Sequence, residues 1–283
     1  MKNNLRQIRG KAQEVFPEGF YAMVSRVEDL YVLQSSRPVK VILLLTGKTA
    51  KQLLGSGGLP FPAGDIILSL DPFFPQADDG ELEEFISGLM EKPYAGFIVN
   101  NLGHFALFAR KEKKEKANLI AGPWLNTFNV RARDFFGKAG AGYYISPLEN
   151  NRQNLERTFP EENQAARKQV FVTVFSNPAL FSIRGDLHKT LGFEYFGGRK
   201  DELFRVRPAA CGTGVYPVEP FSILEKTPFL RKAGFTRFIL DLSSWPLKKA
   251  DYRDIMEAAL KAAPLPGVSR FNWKNGFYRY TIS

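Results

Sequence analysis

Residues 40–70 read KVILLLTGKTAKQLLGSGGLPFPAGDIILSL, and the alternation inside this stretch decides the fold. At 40–46 (KVILLLT) and 65–70 (DIILSL) the apolar residues run almost without interruption. That is the form of a strand buried on both faces of a parallel sheet, not of one half exposed to water. Between them, residues 47–55 open on Gly47 and close on Gly55, the start and stop of a short helix. Strand, helix and strand in succession make a parallel unit with the helix as crossover.

The same alternation extends in both directions. Further strands are expected at 21–26 (YAMVSR), 96–101 (GFIVNN), 117–122 (ANLIAG), 142–146 (GYYIS), 170–175 (VFVTVF) and 236–242 (TRFILDL). Helical spacing fills the gaps at 27–35, 80–91, 126–138, 150–158, 220–233 and 249–262. The 80–91 segment carries acids in its first turn, which the helix dipole favours. Eight strands with intervening helices and no Gly/Ser linker give an α/β fold, a single (β/α)₈ TIM-type barrel over 1–283. An open doubly wound sheet is the alternative, but no Gly-x-Gly-x-x-Gly follows the first strand and no P-loop occurs. The connection between strands seven and eight, about sixty residues, is far longer than an ordinary βα loop. Residues 176–220 are therefore read as an insertion at the barrel mouth, a lid or specificity element.

Composition narrows the chemistry. One cysteine, Cys211, excludes an internal disulfide and any site built from several thiolates. The opening MKNNLRQIRGKAQEVF lacks the apolar segment of a secretory signal, and no run reaches the ~18 apolar residues of a membrane helix. A cytoplasmic setting, no membrane and no cofactor are the expectations. The net charge of +10 and pI near 9.6 permit attraction to RNA or to an anionic substrate, or describe only a cationic surface. The mixed run RKEKKEK at 110–116 reads as a solvated helix end. Nothing in the sequence fixes an oligomeric state.

The stretches GPWLNTFNVRARDFF, ISPLENNRQNLE, VFVTVFSNPALFSIRGDL, FRVRPAACGTGVYPVEPFSILEKTPFLRKAGFTRFILDLS and FNWKNGFYRY occur in an order that resembles the U32 peptidases, the collagenase-like family. The resemblance runs from about Val24 to the C-terminus. It implies a barrel and either peptide hydrolysis or cluster-dependent hydroxylation of RNA or quinone precursors. In the hydroxylating members four cysteines hold an iron–sulfur cluster, and the first of these would fall within 175–186, here FSNPALFSIRGD without a thiol. A single cysteine cannot ligate such a cluster, so a partner chain would have to supply the ligands.

Residues just past strand ends face a barrel mouth. They include Arg26, Asp71, Asn100, His104, Asn126, Asn129, Ser146, Glu149, Asn150, Asp241, Ser243 and Ser244. His104, Glu149 and Asp241 are the catalytic candidates. His104 has a reference pKa suited to a general base, or else caps a helix. Glu149, close to where the family carries Ser-Pro-Glu, could accept a proton, pair with Arg26, or cap a helix beginning at Asn150. Arg26, Asn100, Asn126, Asn129, Arg184, Arg205 and Arg207 are the substrate-binding candidates. Asn126 is read as the cap of the 126–138 helix, with Asn129 left open. Arg205 and Arg207 alternate in FRVR and share one strand face, as an anion clamp or a solvated hairpin. His188 in the insertion is a weaker candidate, and no metal site is indicated. No Gly-x-Ser-x-Gly or His-Glu-x-x-His occurs, so serine or zinc proteolysis has little support. Two functions follow: a U32-like hydrolase acting on a peptide or an anionic substrate, RNA-derived substrates included, or a non-catalytic binding subunit working with a protein partner.

Overall fold

The computed structural model describes residues 14–265 apart from 56, 74–78, 110–116, 161, 184, 186, 188–189, 191, 199–202, 210–211 and 245. The apolar runs form β1 (Gly19–Val24), β2 (Lys40–Leu45), β3 (Ile66–Leu70), β4 (Gly96–Val99), β5 (Leu119–Ala121), β6 (Ala141–Ile145), β7 (Val170–Ser176) and β13 (Arg237–Asp241). Each pairs in parallel with its neighbour, β6 joins β7, and β13 joins both β7 and β1, so the sheet closes into an eight-stranded barrel. Between the strands lie α1 (Asp29–Leu33), α2 (Gly47–Leu54), α3 (Asp79–Met90), α4 (His104–Ala109), α5 (Val130–Lys138), α6 (Arg152–Thr158), α7 (Gln164–Arg167), α8 (Thr227–Lys232) and α9 (Lys249–Lys261). Among the described residues, no helix is long and apolar enough to cross a membrane.

Closure follows from side-chain alternation. One residue from each strand, Tyr21, Ile42, Ile67, Ile98, Ile120, Ile145, Phe171 and Ile239, points inward and forms a continuous apolar layer. Six of the eight are isoleucine, the branched bulk that fills barrels of this type. Alternate residues on the same strands, such as Val41, Leu43, Ile66, Leu68, Phe238 and Leu240, face outward into a second core beneath the helices. Both faces of β2, β3, β4, β5 and β7 are thus almost wholly dry, which is why these strands read as nearly unbroken apolar runs, while β6 exposes Gly142.

Phe16 plugs the N-terminal end. Its ring packs edge-on against Tyr143 at 4.7 Å and Phe171 at 5.8 Å. Arg237, fully buried at the start of β13, donates from Nε to the Phe16 carbonyl at 2.7 Å. Its other nitrogens reach the Lys168 carbonyl and the Glu14 carboxylate.

The connection after β7 contains a separate four-stranded antiparallel sheet of β8 (Phe181–Ile183), β9 (Tyr195–Gly197), β10 (Leu203–Ala209) and β11 (Gly212–Pro217), in the order β8-β11-β10-β9. A short strand, β12 (Phe221–Ser222), then pairs antiparallel with the end of β7. Here the expected 220–233 helix is corrected. Phe221 and Ser222 extend the sheet, a 3-10 turn covers Leu224–Lys226, and the helix starts only at Thr227, with Pro228 in its first turn. Proline fits there because its missing N–H would have no helical partner.

Two other helix starts also shift. The 126–138 segment splits into a 3-10 turn, Pro123–Leu125, and α5, which is capped by Asn129 through its side-chain oxygen and the Ala132 N–H at 2.9 Å. Asn126 is not the cap and adopts a left-handed conformation with φ 52°. The pair therefore does not share a helix face. Likewise α6 is capped by Asn151, which accepts from the Asn154 N–H at 2.7 Å, and Glu149 lies in the exposed turn before it.

Candidate functional site at the C-terminal mouth of the barrel

Because all eight barrel strands run parallel, the residues that follow them gather at one end. Asn100 and His104 after β4, Asn126 and Asn129 after β5, Glu149 after β6 and Asp241 closing β13 all lie at this C-terminal face. The structure distinguishes sharply among them by what each touches.

Asp241 is the hub of the β7–β13 side. Its Oδ2 accepts from the Ser176 hydroxyl at 2.8 Å, and its Oδ1 from the Ser243 hydroxyl at 2.6 Å and backbone N–H at 3.1 Å. The Ser244 hydroxyl donates to the Asn177 carbonyl, fastening the two strand ends together. Asn177 in turn donates from its amide to the Pro217 carbonyl at 3.0 Å, which ties the antiparallel sheet to the barrel. Asp241 thus has a fixed orientation and remains only partly buried.

The hairpin of β10 and β11 brings a second set of groups to the same place. Its register pairs Arg205 with Tyr216 and Arg207 with Gly214, and Tyr195 of β9 stands opposite Arg205. These side chains consequently share one face. A Cβ on Gly214 would meet the Tyr216 ring at 2.5 Å, so only glycine lets the phenol lie back across the strand. Burial raises the Tyr216 hydroxyl above its ordinary pKa, the Asp241 carboxylate adds to the rise, and Arg207 opposes it. The phenol therefore stays protonated and is a hydrogen-bond donor within electrostatic reach of Asp241. Burial first, and Arg205 second, push Arg207 down from its ordinary value. Arg205 is engaged elsewhere: its Nε donates to Glu194 at 2.7 Å and its guanidinium stacks 5.1 Å above Tyr195. Arg184, His188 and Cys211 lie outside the described residues.

On the opposite side, Asp71 follows β3. Burial raises its carboxyl above the usual range, partly offset by the Phe73 N–H that donates to it at 2.9 Å. Asn100 is buried and clamps three strand ends. Its amide donates to the Leu70 carbonyl at 2.7 Å and faces the Ser69 hydroxyl at 3.3 Å. Its oxygen packs against Gly122, where a Cβ would fall 1.8 Å away.

His104 is only 5% exposed, and its Nδ1 accepts the Asn100 backbone N–H at 3.2 Å. The proton of the neutral ring is then on Nε2, and burial lowers the pKa to about 4. Through this bond the buried ring fixes the β4–α4 turn. Arg26 is bound to the buried Asp29, with Nε to Oδ2 at 2.9 Å, and so does not reach Glu149 as a partner. Asp29 also accepts the Leu247 N–H at 3.2 Å, linking the first and last βα connections. Asn129 is committed to its helix cap, and Glu149 stands exposed.

Two contributors were not singled out by the sequence: Tyr216 and Ser176 join Asp241 only through pairing distant in the chain. Asp71 was among the strand-end residues, but its raised carboxyl comes from burial that the sequence does not show. The alternation GTGVYP, which places Gly214 and Tyr216 on one face, is the sole local signal of the first. Among the described residues, no group of three or more His, Cys, Asp or Glu side chains could hold a metal ion. The one cysteine of the sequence does not supply the four thiolates of the cluster that the family resemblance implies.

Fold and site together define a (β/α)₈ barrel with a polar C-terminal mouth beside a small antiparallel sheet. No family model matches the chain, and no curated protein matches it.

Proposed function

We propose that the protein is a hydrolase of the U32-like kind, binding a peptide or anionic substrate at the C-terminal mouth between the strand ends and the β10–β11 hairpin. The observation that carries this reading is the convergence of Asp241, Tyr216 and Arg207, from β13 and the β10–β11 hairpin, on the face where barrels of this type do chemistry. Arg207 and the protonated Tyr216 offer donors to a substrate carbonyl or phosphate oxygen, the positions where negative charge develops during acyl or phosphoryl transfer. Asp71, its carboxyl raised by burial, is the candidate acid–base group. In amide hydrolysis one water is consumed. Its oxygen bonds to the carbonyl carbon as the C–N bond breaks, and its proton passes to the leaving nitrogen.

A non-catalytic binding subunit is the second reading, favoured by the burial of His104 and the donor-saturated Asp241. Incubation with a mixed peptide pool, followed by mass spectrometry, separates the two. The hydrolase reading expects new termini, lost about 100-fold in D71N, and weaker binding in R207Q and Y216F. Binding that survives in D71N, with no cleavage by the wild type, would establish the binding subunit instead.

A further inference from the structure

Exposed apolar surface is concentrated at one edge of the antiparallel sheet. Phe193, Tyr195, Phe196 and Leu203 are 46%, 45%, 39% and 49% exposed, and all four lie in or beside β9, the last strand of the order β8-β11-β10-β9. Phe193 meets Phe196 edge-on at 6.2 Å, and Phe196 stacks on Phe204 at 5.3 Å, so the row is held in place by its own packing. Leu203 stands opposite Gly197, which offers no side chain to cover it.

The edge these residues line is open. The Val206 N–H donates to the Glu194 carbonyl at 2.8 Å, and Phe204 pairs with Phe196 two residues along. An antiparallel strand turns its backbone groups to alternate sides, so those of Tyr195 and Gly197 point away from β10. Among the described residues, no strand pairs with that side of β9. Exposed edges are commonly blunted by a charge or a proline, and Tyr195, Phe196 and Gly197 supply neither. The adjacent charges, Glu194 and Arg205, are paired with each other across the β9–β10 ladder.

We propose that β9 pairs antiparallel with β9 of a second copy of this chain, joining two four-stranded sheets into one of eight about a two-fold axis at Phe196. In that register Tyr195 lies opposite Gly197 of the other copy, and their outward N–H and C=O groups exchange four hydrogen bonds. The two Phe196 residues face each other as the closer, non-hydrogen-bonded pair. Glycine within a strand often marks the approach of another backbone, and here it leaves room for the incoming Tyr195 ring. The segment is thus complementary to itself, as a two-fold interface requires of a single patch. At ~200 Å² for a large side chain, the four residues leave about 350 Å² of apolar surface open on each copy. With the strand edges included, two copies bury on the order of 1,000 Å², the low end for a specific interface, so the dimer is weak, with a Kd on the order of 10 µM. Each copy carries a charge of +10, which opposes association, so added salt should strengthen it.

Sedimentation of the full chain from about 1 to about 200 µM spans that Kd. A monomer–dimer transition is expected, moving to lower concentration as salt rises. Y195P removes an outward N–H without touching the β9–β10 ladder, and F196K sets two ammonium groups on the axis. Each should weaken association at least tenfold while circular dichroism stays unchanged. Register is read separately, in a C211S background. F196C should form a disulfide-linked dimer under mild oxidation, because facing residues of such a pair have Cα atoms about 4.5 Å apart, within disulfide reach. Y195C, two residues out of register with its own copy, should cross-link much less. A monomer throughout the range, association unchanged in both variants, or equal cross-linking by F196C and Y195C overturns the proposal. Association lost in F196K but intact in Y195P overturns it too, because the contact would then join rings and not strands.

Discussion

His104 shows how a single buried ring couples stability to pH. Its pKa falls from 6.5 to about 4 because the folded protein removes the imidazole from water while Nδ1 accepts the Asn100 N–H. The unfolded chain therefore takes up a proton near pH 6.5 that the folded chain refuses until about pH 4. Stability attributable to this group is fully present above pH 6.5 and is lost as pH falls toward 4. The expected loss is on the order of 3 kcal/mol. Urea unfolding at several pH values between 7 and 4 measures it, and H104Q should flatten that part of the profile. If the slope is the same in H104Q, the acid sensitivity comes from other groups. Asp71 has the opposite character, its carboxyl raised by burial. It is a cost to folding at neutral pH, consistent with a group retained for chemistry.

At the scale of elements, the ends of β3, β4 and β5 meet around Asn100. Asn100 bonds to Leu70 and faces Ser69 on one side, and it presses its oxygen against Gly122 on the other. A Cβ at 122 would lie 1.8 Å from that oxygen and 2.8 Å from Ile98 Cγ2. The Gly122 backbone itself is ordinary, with φ −76° and ψ 171°, so the constraint is space alone. G122A should cost about 1–3 kcal/mol through overpacking. Truncating the opposing side chain should recover part of it, so the double mutant G122A/N100A is expected to be less destabilised than the sum of its single changes. Additive losses in chemical denaturation would mean that the two residues do not share this contact.

At the scale of the molecule, the barrel is closed at its N-terminal end by Phe16 and locked by Arg237. That guanidinium is buried completely, yet it serves two backbone carbonyls, of Phe16 and Lys168, and the Glu14 carboxylate. The N-terminal end of such barrels carries stability and the C-terminal end carries function. R237A should therefore cost about 3–5 kcal/mol, because it leaves buried carbonyls without donors, without touching the mouth. Thermal unfolding reads the first part, and binding of the mixed peptide pool reads the second at a temperature where the variant is folded. A stable R237A, or one that binds differently while folded, would separate the plug from this role.

The eight strands were legible in the residues themselves, since a strand dry on both faces is apolar at nearly every position, and β2, β3 and β7 carry only Lys40, Ser69, Thr173 and Ser176 as exceptions. The gathering of Asn100, Asn126, Glu149 and Asp241 at one end followed from the same reading, because parallel strands share a direction. What the residues could not convey was the partner of each side chain. Asn126 and Asn129 are identical in chemistry and three apart, and only the 3-10 turn at Pro123–Leu125 makes the second one the cap. β12 was invisible because two residues carry no period and depend on the edge offered by β7. Likewise, Arg26 bonds to Asp29 rather than Glu149, His104 is buried against the Asn100 backbone, and Tyr216 lies near Asp241, 25 positions on. Local pattern determines which elements form, because it depends on hydrophobic spacing along the chain. The site depends on contacts between segments far apart in sequence, and only tertiary packing brings those together.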